Sequence, residues 1–109
     1  MSILKKINKL VRNNIPNIIK ASHGNPIFRK LSEEEFVPAI FDKFYEEIEE
    51  VRLSQGADRC EELADIIELI NILATLEGKN LNHIIELSKE KAQKNGGFDK
   101  RIFLEKVNY

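Results

Sequence analysis

The chain has 109 residues, 42% of them hydrophobic, with 17 basic side chains against 18 acidic ones. That length fits one domain, 1–109, with enough apolar content for a core. The near balance of charge excludes the basic surface that nucleic acid or an anionic membrane would require.

Cys60 is the single cysteine, which rules out an intrachain disulfide and suits a reducing, cytoplasmic setting. The opening MSILKKINKLVRNN is too polar for a signal peptide, and no apolar run approaches the length of a membrane span. Pro16 at the head of IPNIIKASHG suits the first turn of a short helix, with Gly24 as its stop. The following NPIFRKL is too irregular for a helix and is expected to cross to the next element in extended form.

Ser32 opens S-E-E-E, a capping box whose reciprocal acid is Glu35. The helix it starts should run to about Ser54 and end at Gly56. Pro38 inside it predicts a kink or a later start. Asp58 with Glu61 repeats the capping logic for a second long helix, which Gly78 terminates. A third helix is expected from Asn80 to Asn95, closed by Gly96-Gly97, while the tail FDKRIFLEKVNY shows no decisive pattern. No strand pattern competes. The expected fold is all-α, a bundle of about four helices completed by oligomerisation.

Within FYEEIEEVRLSQGADRCEELADIIELI, from Phe44 to Ile70, acids interrupt apolar runs. Plotted at roughly 100° per residue, Glu47 falls between Phe36 and Ile40 on the apolar arc of the first long helix, and Glu50 lies at its edge. On the second, Glu62 falls between Leu69 and Leu73, and Asp65 between Ile72 and Leu76. Glu46 lies further round, whereas Glu49, Glu61 and Glu68 take polar faces and read as solvated.

Each helix thus presents a carboxylate pair at i, i+3 spacing, where side chains are neighbours. Clustered acids in apolar surroundings repel and resist desolvation unless a cation neutralises them. All-oxygen ligation suits a hard cation, Mg²⁺ or Mn²⁺. The metal ligands implied are Glu47, Glu50, Glu62 and Asp65. A di-iron bundle would need Glu-x-x-His twice, and neither His23 nor His83 follows a Glu by three residues. Both histidines read as surface residues.

On the third helix Lys91 plots between Leu87 and Ile84, with Lys94 and Asn95 flanking that face. Two readings stay open: a lysine that snorkels out of the core, or a phosphate ligand beside Gly96-Gly97, whose backbone N–H groups can approach an anion. Metal, acids and a lysine together suit phosphoryl transfer to water.

The words Glu46-Glu47-x-x-Glu50 and Glu62-x-x-Asp65 resemble the E-E-x-x-E…E-x-x-D signature of the MazG-like, all-α nucleoside triphosphate pyrophosphohydrolases. KLVRNNIP at Lys9–Pro16 and KAQKNGGF at Lys91–Phe98 resemble the opening and closing words of the phosphoribosyl-ATP pyrophosphohydrolase-like branch, and RIFLEKV fits its ending. The resemblance implies that Glu47, Glu50, Glu62 and Asp65 hold Mg²⁺, with Glu46 as a supporting acid that helps orient the attacking water, and with Glu46, Glu47 and Lys91 as the catalytic residues. It implies that Lys91, Lys9 and Arg12 bind the phosphates of a nucleotide substrate, with Lys94, Asn95, Gly96 and Gly97 beside them. It also implies cleavage of the α–β phosphoanhydride to a monophosphate and pyrophosphate, by a homodimer or homotetramer. Asn13-Asn14 stand where that branch has Asp-Lys, one acid and one base fewer. A rival expectation from another class is a non-catalytic helical oligomerisation or nucleotide-binding module.

Overall fold

In the computed structural model, which describes residues 4–109, four α-helices follow one another: α1 (Ile15–Ala21), α2 (Glu33–Leu53), α3 (Ala57–Leu76) and α4 (Leu81–Asn95). No strand occurs among the described residues, and the chain is all-α as its periodicity implies. Among those residues no helix is long and apolar enough to cross a membrane. Two compact units divide the chain, one ending at Leu69 and the other beginning at Ile70, so α3 contributes to both.

In the first unit, Pro16 sits in the first turn of α1, where its missing N–H costs nothing. The helix ends one residue earlier than Gly24 suggests. His23 takes the left-handed conformation (φ 66°), and its N–H donates to Lys20 O at 3.0 Å while Gly24 N donates to Ile19 O at 2.9 Å. That pair of bonds is a Schellman closure with a non-glycine residue at its turning point. Glycine is needed one step later, because a Cβ on Gly24 would stand 2.5 Å from Ile19 Cγ2.

Ser32 begins α2 as expected. Its hydroxyl accepts from Glu35 N at 3.2 Å, and its own N–H donates to Glu35 Oε1 at 3.0 Å. Arg29 grips the same carboxylate through both terminal nitrogens, at 3.0 and 2.7 Å, and this pairing holds the Glu35 carboxyl down at about 2. Pro38 neither delays nor divides the helix, which runs from Glu33 through it to Leu53. The carbonyl it strands, on Glu34, belongs to an exposed turn where water replaces the lost donor.

The start of α3 departs from expectation. Gly56, with φ 64°, accepts the first helical bond, from Cys60 N at 3.2 Å. Asp58 therefore lies inside the first turn, where its charge opposes the helix dipole instead of capping it. Within this unit Ile40 is fully buried, Leu69 is buried, and Glu47 is buried with them.

In the second unit, α3 closes as Gly78 implies: Gly78 N donates to Thr75 O at 2.9 Å and Lys79 N to Ala74 O at 2.8 Å, with Gly78 at φ 73°. Asn80 caps α4 through His83 N at 2.9 Å, and Asn71 Oδ1 accepts from Leu81 N at 3.1 Å. The residues after Asn95 form no helix or strand.

Candidate metal centre

Glu47 is the anchor of the first unit's polar cluster. The helical repeat of α2 turns it to the same face as Ile40, and only 3% of its surface is exposed. Glu46 beside it is half-buried and Glu50, one turn on, is exposed; α3 supplies Glu62 and Asp65, both half-buried. Carboxylate oxygens of Glu47, Glu62 and Asp65 all lie within 4.8 Å of one another, and those of Glu46, Glu47 and Glu50 form a second such group. Glu47 belongs to both. The four acids singled out as metal ligands are thus brought together, with Glu46 at their margin. Glu49 pairs outward with Arg52 at 2.6 Å, and Glu61 and Glu68 are exposed, as their polar faces imply.

The acids do not repel one another unrelieved, because the chain brings cations to them. Lys9 Nζ donates to Glu46 Oε1 at 2.8 Å. Arg12 donates to Asp65 Oδ1 from Nε at 3.2 Å and from Nη2 at 2.7 Å. Lys43 Nζ donates to Glu46 Oε2 at 3.2 Å and lies 3.4 Å from Glu47 Oε1. The Glu46 hydrogen bond raises the Lys9 pKa, the Asp65 hydrogen bond raises that of Arg12, and the Lys9 hydrogen bond lowers that of Glu46.

Lys9 and Arg12, expected as phosphate ligands, therefore rest on carboxylates here. Lys43 was not singled out from the sequence. Its signal was nonetheless present, since Lys43 precedes Glu46 and Glu47 by three and four residues, the spacing of helical neighbours.

Two acids keep an unmet demand. The Glu62 carboxyl is pushed up to about 7 by hydrogen bonding with Glu50 and then Glu47, with burial adding to it. Glu47 Oε2 is buried and accepts no hydrogen bond. Buried carboxylate oxygens seldom go without a partner, so this atom fits the role of a cation ligand. An ion such as Mg²⁺ has ligand oxygens at about 2.1 Å, which places any two at most about 4.2 Å apart. The two groups of carboxylate oxygens, each within 4.8 Å, lie close to that limit. The donor set, all oxygen and anionic, suits Mg²⁺ or Mn²⁺.

Lys91, Lys94, Asn95, Gly96 and Gly97 lie in the second unit. Lys91 and Lys94 are exposed on the last turns of α4. Gly96 ends the helix at φ 85°, its N–H donating to Ala92 O at 2.9 Å. His23, His83 and Cys60 are all exposed.

Comparison with known proteins adds one relative. An uncharacterised protein of Mycolicibacterium smegmatis is 40% identical over 50 residues, which cover 46% of this chain and 51% of that protein. The chain thus spans about half the length of the curated relative it matches. No family model and no solved structure matches the chain.

Proposed function

We propose that this chain is an Mg²⁺- or Mn²⁺-dependent nucleotide pyrophosphohydrolase of the MazG-like, phosphoribosyl-ATP pyrophosphohydrolase-like kind. One observation carries the reading: Glu47 Oε2 is buried without a donor, on a carboxylate that is grouped with those of Glu62 and Asp65. The motif words around these acids supply the reaction class. A bound divalent cation would neutralise the phosphate chain and polarise water.

The chain's own part is to hold and orient. Glu47, Glu50, Glu62 and Asp65 bind the cation. Glu46, paired with both Lys9 and Lys43, would accept a hydrogen bond from the attacking water. That water adds to the α-phosphorus, the α–β P–O bond breaks, and the proton passes to solvent or a carboxylate. The products are a nucleoside monophosphate and pyrophosphate. Arg12 serves the phosphates when Asp65 binds the cation, Lys9 does so while it holds Glu46, and the motif word that carries Lys91 assigns that lysine to the phosphates as well.

We further propose that the protein works as a homodimer or homotetramer in the cytoplasm. Phe41 and Ile48 on α2 and Ile67 on α3 remain 45%, 49% and 50% exposed, an apolar surface that a second copy would cover. The exposed free thiol of Cys60 suits a reducing compartment.

The deciding experiment is a screen of nucleoside triphosphates and phosphoribosyl-ATP for pyrophosphate release, with and without Mg²⁺ or Mn²⁺. Metal-dependent release from at least one nucleotide is expected. Silence across the screen would favour the non-catalytic helical module instead.

A further inference from the structure

The cations at the acid cluster are of two kinds. Lys9 and Arg12 come from a non-helical segment, and their side chains are 46% and 57% exposed. Lys43 comes from α2 itself, and its side chain is only 19% exposed. Water competes freely for the first two. The third is held by its own helix and by the packing around its stem.

Lys43 also has a specific relation to the buried acid. Among the described residues it is the one basic group within ion-pair distance of Glu47, at 3.4 Å from Oε1. The other oxygen, Oε2, is the one left without a donor. A carboxylate gripped at one oxygen cannot turn about its last bond without losing that contact. The contact therefore decides which oxygen of this buried carboxylate is left free of a donor. The same ammonium reaches Glu46 Oε2 at 3.2 Å, which ties the two adjacent acids into one fixed unit.

We propose that Lys43 is a positioning residue of this centre: by pairing with Glu47 at Oε1 it fixes the buried carboxylate beside Glu62 and Asp65 and leaves Oε2 free for the cation. The inference rests on the metal-centre reading above and adds a residue to it. Lys43 touches neither substrate nor ion. It acts through Glu47, as groups behind metal ligands commonly do, and their loss typically weakens metal binding about 10- to 100-fold. The opposite sign is equally physical, since a lysine beside a cation site also repels the ion. The two roles therefore separate by direction.

The test is a titration of the full chain with Mn²⁺, followed by loss of the free-ion electron paramagnetic resonance signal. Lys43→Met keeps the apolar stem and removes the charge. It should bind Mn²⁺ about 10- to 100-fold more weakly than the natural chain, with helix content by circular dichroism unchanged. Arg52→Gln removes a comparable intrahelical cation that pairs with Glu49 instead, and it should bind normally. If Lys43→Met does not fold, Lys43→Gln is held to the same threshold. Binding as tight as the natural chain would make Lys43 a packing stem, and tighter binding would make it a competitor of the ion; either overturns the proposal. A natural chain that takes up no Mn²⁺ would instead overturn the metal-centre reading itself.

Discussion

Arg12 donates from two nitrogens to a single oxygen of Asp65, at 3.2 and 2.7 Å, across 53 positions of sequence. The pair ties the segment before α1 to α3. Its side chains are 57% and 36% exposed, so solvent screens it and its net contribution is at most about 1 kcal/mol. Asp65→Asn should therefore leave the metal-free protein melting within a few degrees of the natural chain while metal uptake and hydrolysis are lost. Unfolding with activity spared would make Asp65 a structural acid.

Glu47→Gln keeps the shape of the side chain and removes its charge. A cation at 100 times its dissociation constant stabilises the fold that binds it by about 2.7 kcal/mol. The natural chain should show that gain as a raised melting temperature in Mg²⁺ or Mn²⁺, and Glu47→Gln should show none. An equal thermal shift in the two proteins would remove Glu47 from the ligand set.

Glu62 predicts a pH dependence with a definite sign. Its carboxyl titrates near 7 in the fold, above its ordinary value of 4.5. The folded chain therefore holds this proton more tightly than the unfolded chain. The associated stability is present in full below 4.5 and is lost as pH rises toward 7. Metal-free protein should melt at higher temperature at pH 5 than at pH 8, and Glu62→Gln should flatten that slope. Glu35 works in the other direction and in another window: held at about 2 by Arg29, it contributes stability above 4.5 that is lost as pH falls toward 2. Thermal melts across pH in chelator separate the two windows, and a Glu62→Gln slope equal to the natural one would contradict the assignment.

Lys91 is exposed on α4, and it offers a compact point charge to a phosphate, not a planar fork. Lys91→Ala and Lys91→Met should both reduce nucleotide turnover while Mg²⁺ binding and melting temperature stay near those of the natural chain. Steady-state kinetics of pyrophosphate release read this out. Full activity in the Met variant would remove the lysine from substrate binding.

Ser32→Ala tests the α2 terminus. It deletes the hydroxyl that accepts from Glu35 N at 3.2 Å, and loss of such a cap typically costs about 1 kcal/mol. Chemical denaturation should show that loss with no change in metal affinity. A change in metal affinity would mean that the cap also positions the acids further along the helix.

The helices and the Ser32 capping box were legible in the sequence because they depend on contacts three or four residues apart. The inward turn of Glu47 was legible for the same reason: a helical repeat assigns a face before any packing is known. Helix ends were less so. Gly56 displaced Asp58 as the start of α3, and His23 took the left-handed turn ahead of Gly24, because rival caps differ by only about 1 kcal/mol and the surrounding chain decides between them. The counter-charges were of two sorts. Lys43 with Glu47 is a local pair that spacing announces, whereas Lys9 with Glu46 and Arg12 with Asp65 join positions 37 and 53 residues apart. No periodicity encodes those distances, and charge–charge energy depends on distance and on the water excluded between the groups. The raised Glu62 carboxyl and the donorless Glu47 oxygen arise only when α2 and α3 bring their acids together, so tertiary packing alone decided where this acid cluster keeps an unpartnered oxygen.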